Sequence, residues 1–312
     1  MKKVYIIILN YNNPADTIAC LDSVCKLDYD NFHIVLCDNA STDNSNFLFN
    51  KWQKNKNISN FTYVRLAVNG GYAKGNNVGI EFALSQKDME YVWVLNNDTI
   101  VTPMSLTNVV NVIEKDAYVG VCGSKLVYDW DRKKVQGYGG RLNSYLGTTS
   151  VIINESDLST IDFVIGAAML ISRKFLENVG LFSEDYFLYY EEIDLAKRAK
   201  DRYKMACAVN SIVYHKEGAT IGANNKQKNT KSLLADYFSI RNRLLFMKKY
   251  YTLRLPFVYM GLLVTMFNRV RRSQYDRIPM ILKLMVGIKD VSFEHLVEGK
   301  YIEKSINNNG NL

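Results

Sequence analysis

The 312-residue sequence predicts an α/β fold, with a mostly parallel central sheet between flanking helices and a helical C-terminal extension. Three observations predict it. Apolar runs of strand length alternate with helix-period segments through the first hundred residues, the signature of a parallel sheet. Each run stops at a cluster of Asn, Asp and Gly, the residues of crevice loops. From Thr230 onward helical patterning dominates and the chain turns basic.

The elements follow in order. Val4–Leu9 reads as a strand, Pro14–Lys26 as a helix with proline near its start, and Phe32–Cys37 as a second strand ending at Asp38. A helix from about Asp43, a strand over Phe61–Arg65 and a helix after Gly71 continue the alternation. Tyr91 to Asp98, YVWVLNND, is an apolar strand that ends on two amides and a carboxylate. Residues 118–165 mix short strands with QGYGG at 136–140, and 181–202 leads from a loop into an amphipathic helix. The expected organisation is an α/β domain over 1–240 and a basic helical region over 241–312.

Composition narrows the function. With 48% hydrophobic residues the chain can build a real core. Five cysteines without CxxC or Cys/His zinc spacing read as reduced thiols, which implies a cytoplasmic setting. The start, MKKVYIIILNYNN, reaches polar residues too soon for a signal peptide and reads as a strand. Residues 241–312 carry 13 Lys/Arg against 5 Asp/Glu, so the whole net charge of +8 lies there, because residues 1–240 carry 26 of each. Within this tail Leu255–Phe267 is a 13-residue uncharged run, shorter than the ~20 residues that span a bilayer. It is flanked by Lys248, Lys249, Arg254, Arg269, Arg271 and Arg272. An apolar helix with basic margins fits an anionic membrane surface, here through residues 241–290; the competing readings are a helix packed on the protein's own core or a homodimer contact. No nucleic-acid-binding module matches, so no nucleic-acid partner is expected.

If the sheet is parallel, all strand ends face one crevice. Asp98, flanked by Asn96 and Asn97, then suits a hard divalent ion, Mg2+ or Mn2+, that takes part of its shell from substrate phosphates. Asp38 can accept from the imide N–H of a pyrimidine or from a ribose hydroxyl, while Asn10, Tyr11 and Asn12 line the base. The bland reading of Asp38 is a turn that opens the next helix. The glycines of NGGYAKGNNVG at 69–79 would let backbone N–H groups approach an oxygen-rich ligand, with Asn69, Gly71 and Asn76 on the donor side. Neither GxxxxGKS nor GxGxxG is present, which disfavours P-loop and dinucleotide enzymes.

The order NYN, DNASTD, NGGYAKGNNVG, LNND, IGAAMLISRKFLENVGLFSEDYFLYYEEIDLAKR, YHKEG, YFSIRN resembles family 2 glycosyltransferases of GT-A fold, most closely their bacterial rhamnosyltransferase-like branch. The resemblance covers about residues 3–245 and implies that the domain over 1–240 is catalytic, with 1–100 a nucleotide-binding half and 101–240 an acceptor and catalytic half. It implies a Rossmann-like GT-A sheet and inverting, metal-dependent transfer of a sugar from a nucleotide diphosphate donor, dTDP-rhamnose or a UDP-hexose. The implied acceptor is a lipid-linked saccharide at the inner face of the cell membrane, with the protein held there peripherally. Asp98 matches the last acid of the family's DxD-like motif, with Asn96 or Asn97 on ribose or sugar. This motif has a single acid, and His215 of YHKEG matches the position that completes the metal site. Arg241 and Asn242 match an RN pair, where a guanidinium could hold phosphate.

The resemblance also places a catalytic base in YYEEIDL. Inverting transfer needs one carboxylate to take the acceptor's proton. Glu192 stands where the family usually has aspartate, and Glu191 could share the role; Asp194 would orient the helix or bind the RN pair. The bland reading is an acidic helix start favoured by the helix dipole. Two other functions remain: a sugar-phosphate nucleotidyltransferase, against which stands the missing glycine- and lysine-bearing loop after the first strand, and a non-catalytic membrane-surface scaffold.

Overall fold

The computed structural model describes residues 1–216 and 232–289. The first half alternates as its periodicity predicts: β1 Lys3–Asn10, α1 Pro14–Val24, β2 Phe32–Asp38, α2 Ser45–Lys56, β3 Phe61–Arg65, α3 Gly71–Ser85 and β4 Met89–Asn96. Short β5 Thr99–Val101 and α4 Ser105–Ile113 follow. Then come β6 Val119–Tyr128, β7 Val135–Gly137, β8 Gly139–Leu142, β9 Thr149–Ile152 and β10 Ala168–Ser172. Next are α5 Arg173–Val179, α6 Glu191–Ala199 and β11 Lys204–His215, and the C-terminal helices α7 Leu233–Tyr250, α8 Leu255–Arg271 and α9 Ile278–Met285.

The main sheet runs β3-β2-β1-β4-β10-β6-β11-β5, with β7 beside β6. β3, β2, β1 and β4 are mutually parallel, β10 is antiparallel to β4 and β6, and β6 and β11 are parallel. Both faces are covered, so parallel strands can be apolar throughout. Val4, Ile6 and Ile8 of β1 pack with Leu21 of α1, Phe49 of α2 and Leu106 of α4, while Tyr5 and Ile7 pack with Ile80 of α3 and Phe175 of α5. Ile6, Ile7 and Ile8 are fully buried, each burial stabilising by roughly 1.5–3 kcal/mol, so the crevice loops are carried on a rigid frame.

Topology decides where that crevice lies. From β1 the chain winds outward through β2 and β3, then α3 carries it back to β4 on the other side of β1. The C-terminal ends of β1 and β4 therefore flank the switch point at which doubly wound sheets open a ligand crevice. A third apolar cluster joins Phe163, Tyr186, Phe187 and Tyr190 to Tyr237, Phe238 and Phe246 of α7 and to Val258 and Leu262 of α8. The C-terminal helices are thus docked on the α6 side, and α7 runs unbroken across position 240. Residues 290–312 of the expected tail lie outside the described residues.

Candidate active site

Asn96 ends β4, Asn97 and Asp98 make the turn, and β5 returns antiparallel to β11 with His215 opposite Thr99. Backbone pairing alone therefore delivers His215 to Asp98, and the Lys216 N–H donates to the Asp98 carbonyl at 3.1 Å. The two side chains are buried, with His215 Nε2 3.2 Å from Asp98 Oδ1. Nε2 nevertheless has no hydrogen-bond partner there, because the approach is out of line. On the far side of the ring Nδ1 stands 2.9 Å from Gln136 Oε1, where it donates and leaves Nε2 as the lone-pair nitrogen. An imidazole held from behind, with its other nitrogen beside a carboxylate, could supply part of the donor set of a divalent metal. Among the described residues no third His, Cys, Asp or Glu joins them, which suits an ion that takes further ligands from water and phosphate.

A hydrogen-bond chain connects this corner to the end of β2. Asn97 Nδ2 donates to Thr17 Oγ1 at 2.9 Å, Thr17 Oγ1 donates to Asn10 Oδ1 at 2.8 Å, and Asn10 Nδ2 donates to Asp38 Oδ1 at 2.8 Å. Asn10 Nδ2 also reaches Ser41 Oγ and Ser45 Oγ. Expected to line a base, Asn10 is instead fully buried and ties three strand ends together. Asp38 is equally sealed, with Ser41 Oγ donating at 2.5 Å and Arg65 Nε 3.6 Å from Oδ2. Tyr11 is half-buried and Asn12 exposed. Asn12 takes a left-handed φ of 49° and accepts at Oδ1 from Thr42 N, which clamps the 41–43 loop.

The glycine-rich stretch does different work from that expected of it. Gly71 has a φ of +77°, and a Cβ there would meet the Phe187 carbonyl at 2.2 Å. Gly75 and Gly79 face Leu9 and Ile7 in the same way, so these glycines admit protein atoms and let α3 lie close on β1. Asn69 Oδ1 accepts from Asn39 Nδ2 and Gly71 N, joining the loops after β2 and β3. Asn76 is fully buried, donating to the Tyr72 carbonyl while its Oδ1 has no hydrogen bond.

The acids enter from the other wall. Tyr189 and Tyr190 hold left-handed φ values of 71° and 77°, a strained pair that costs roughly 1–3 kcal/mol per residue and sets the direction of α6. Asn242 Nδ2 donates to the carbonyls of Leu188 and Tyr189, Arg241 Nη1 to that of Asp185, and the Tyr190 hydroxyl to that of Gly147. The RN pair therefore braces this turn. Asp194 does not bind that pair; it accepts from Arg198 at 2.8 Å, Lys249 at 2.9 Å and Tyr250 at 2.7 Å, locking α6 to α7, and these donors hold its pKa below the usual carboxylate range.

Glu191 is buried and Glu192 partly so, and the Oε2 of each lacks a hydrogen-bond partner. Burial raises the Glu192 pKa to about 7. Burial first, and then the neighbouring Glu192 charge, hold Glu191 well above the usual carboxylate range. Tyr72 of α3 links these acids to the metal corner: its hydroxyl donates to the Gly166 carbonyl at 2.7 Å, and next door the Asn96 N–H donates to the Ala167 carbonyl. Burial, then the charges of Glu191 and Glu192, raise the Tyr72 pKa well above its ordinary value.

Residues 5–180 match the family model described as Glycosyl transferase family 2. The chain belongs to that family. Low-salt glycan biosynthesis hexosyltransferase Agl10 of Haloferax volcanii is 26% identical over 199 residues, 62% of this chain and 61% of that relative, so the chain spans about three-fifths of its length. Among solved structures, S. aureus TarS 1–349 in complex with UDP-GlcNAc aligns with a TM-score of 0.56 at 17% identity, over 95% of this chain and 81% of that one. The mannosyltransferase PcManGT from Pyrobaculum calidifontis, in complex with GDP-Man and Mn2+, aligns with a TM-score of 0.55 at 15% identity, over 95% and 85%. These likenesses show the fold, a mixed α/β GT-A architecture.

Beyond the motifs that suggest Glycosyl transferase family 2, several positioning residues escaped sequence reasoning. Thr17 and Gln136 sit in segments read only as a helix and a glycine-rich patch. Asn77, whose side chain clasps Phe182 through its N–H and carbonyl, lay in a stretch read for its glycines.

Proposed function

We propose that this chain is an inverting, metal-dependent glycosyltransferase moving a sugar from a nucleotide diphosphate donor, dTDP-rhamnose or a UDP-hexose, to a lipid-linked saccharide of bacterial O-antigen or capsule. The observation that carries the reading is the bare His215 Nε2 beside Asp98, at a sheet switch point, with an acid of pKa about 7 reached through Tyr72. The nucleotide sugars named in the TarS and PcManGT structures support the donor class, and the Mn2+ of the latter supports the metal.

Asp98 and His215 would hold a Mn2+ or Mg2+ ion. Such an ion, when bound, neutralises charge developing on the leaving diphosphate. Asp38, sealed by Asn10 and Ser41, would fix the shape of the base end of the crevice without touching the base, with Tyr11, Asn12, Asn69 and Asn96 bordering the donor. Glu192 accepts the proton of the acceptor hydroxyl as its oxygen attacks the anomeric carbon from the face opposite the diphosphate; that bond forms as the bond to the diphosphate breaks, which inverts the centre. Glu191 and Glu192, buried side by side, would share a single negative charge.

The C-terminal helices support the inner membrane face as the workplace. Phe257, Met260, Leu263, Val264 and Phe267 of α8 are exposed and continue to Leu282, Val286 and Ile288. Exposed Arg271 and Arg272 lie at the end of the same helix. Arg269, expected among these margins, is turned inward to Asp236 at 2.6 Å. No helix among the described residues is long and apolar enough to cross a membrane.

A thermal-shift panel of UDP-, dTDP- and GDP-sugars with and without Mn2+ tests the reading. A ligand at about 100 times its Kd stabilises the fold by ~2.7 kcal/mol, so a Mn2+-dependent rise with one nucleotide class is expected. No rise with any nucleotide would overturn it.

A further inference from the structure

A cavity of about 330 Å3 opens beside Glu192, walled by Tyr189 and Tyr190, by Thr148 and by Ser239 and Arg243 of α7. Its two acids, Glu192 and Asp236, and its two cations, Arg243 and Arg269, are unevenly paired. Asp236, which also lines it, is already held by two cations, Arg269 Nη2 at 2.6 Å and Arg277 Nη1 at 2.8 Å. Arg243 is only 7% exposed and has no carboxylate partner among the described residues. Its Nε donates to the Leu146 carbonyl at 2.6 Å, while its Nη2, packed against Gly261, has no partner at all. A Cβ at position 261 would stand 2.8 Å from that nitrogen, so the glycine keeps the space the guanidinium occupies.

A buried cation without a counter-ion is a costly arrangement that most proteins avoid by pairing it. Here the unpaired guanidinium lines the cavity that holds the candidate base, and no carboxylate among the described residues lies within ion-pair distance of it. We propose that this cavity is the acceptor subsite and that Arg243 receives an anionic oxygen group, a phosphate or a carboxylate, borne by the acceptor sugar. The inference rests on the glycosyl-transfer reading and narrows it from a saccharide acceptor to an anionic one. Planar guanidinium donors suit both oxyanions, and the acceptor's charge supplies the missing counter-ion as its hydroxyl comes up to Glu192. Arg243 is on this view a specificity residue for the acceptor, and it leaves the donor crevice untouched.

The test is calorimetric titration of the full chain, with a saturating nucleotide diphosphate and Mn2+ present to fill the donor crevice. Glucose 1-phosphate and glucuronic acid are the anionic probes, and methyl glucoside is the neutral one. At least one anionic probe is expected to bind about tenfold or more tightly than methyl glucoside, and which one distinguishes phosphate from carboxylate. Arg243→Met is expected to abolish that preference and Arg243→Lys to retain part of it, both with unchanged nucleotide affinity. Equal binding of the charged and neutral sugars by the unmodified chain overturns the proposal without any variant, so a Met substitution that disturbs the Leu146 contact does not decide it. Loss of the anionic probe on adding nucleotide also overturns it, because the probe then occupies the donor crevice. Absence of nucleotide binding itself is read in the same titration and counts against the donor reading alone.

Discussion

At the scale of single residues, chemistry is set by which atoms lack partners. His215 Nε2 and the Oε2 atoms of Glu191 and Glu192 are such atoms. Replacing Gln136 by Leu frees the His215 ring to turn and is expected to weaken Mn2+ binding about 10- to 100-fold in a titration followed by electron paramagnetic resonance. Glu192→Gln is expected to lower turnover by about 10²–10⁴ with donor affinity intact, whereas a normal rate in that variant would move the base to Glu191. The base must be deprotonated, so turnover should rise with pH through about 7 and level off above it. Glu191→Gln should leave a basic limb in place, since Glu192 still supplies a buried carboxyl of raised pKa. Stability has the opposite sign. A carboxyl whose folded pKa is raised stabilises the fold below its unfolded pKa, and this contribution is lost as pH rises through the folded value. Melting temperature should therefore fall between pH 5 and pH 8 by less in Glu192→Gln than in the parent chain.

Elements matter through the way they aim these atoms. The antiparallel pair β5 and β11 brings His215 to Asp98 across a long sequence separation, using only backbone register. Two left-handed tyrosines aim α6, and three separate contacts hold them: the Asn242 amide, the Tyr190 hydroxyl, and Gly71 lying against Phe187. Gly71→Ala is expected to destabilise the fold by at least about 1–3 kcal/mol in a urea titration, from the unfavourable φ and the 2.2 Å clash with the Phe187 carbonyl. A neutral outcome would mean that the 187–190 turn moves freely, and the strained geometry would then not be needed to place the acids.

For the whole molecule, the C-terminal helices pack on the α6 side of the catalytic fold and wall the cavity beside Glu192. The exposed face of α8 lies outside that cavity, so attachment and chemistry should separate. A double substitution, Phe257→Asp with Phe267→Asp, is expected to release the chain from phosphatidylglycerol vesicles in a flotation assay while the Mn2+-dependent nucleotide shift is retained. Vesicle binding that survives would return α8 to one of the other readings, a core-packing helix or a contact between copies.

The alternation of β1 to β4 was legible because parallel strands covered on both faces must be apolar throughout and must end in polar turns; Phe61–Arg65 matches β3 residue for residue. For the same reason Asp98, at a strand end, could be singled out as a candidate from a single run of letters. What tertiary structure decided was the partner of each polar group. Asn10 reads like a ligand-facing amide until Asp38, Ser41 and Ser45 are seen to share its two N–H groups and Thr17 to donate to its oxygen, with the side chain fully buried. Gly71 and Asn242 read as ligand contacts until Phe187, Leu188 and Tyr189 arrive beside them. Arg243 carries no motif at all, and only the fold shows that no carboxylate among the described residues pairs with it. Periodicity is a local property that the chain carries in its letters, whereas the satisfaction of a buried donor or charge depends on residues tens to hundreds of positions away, and only the fold brings those together or leaves them apart.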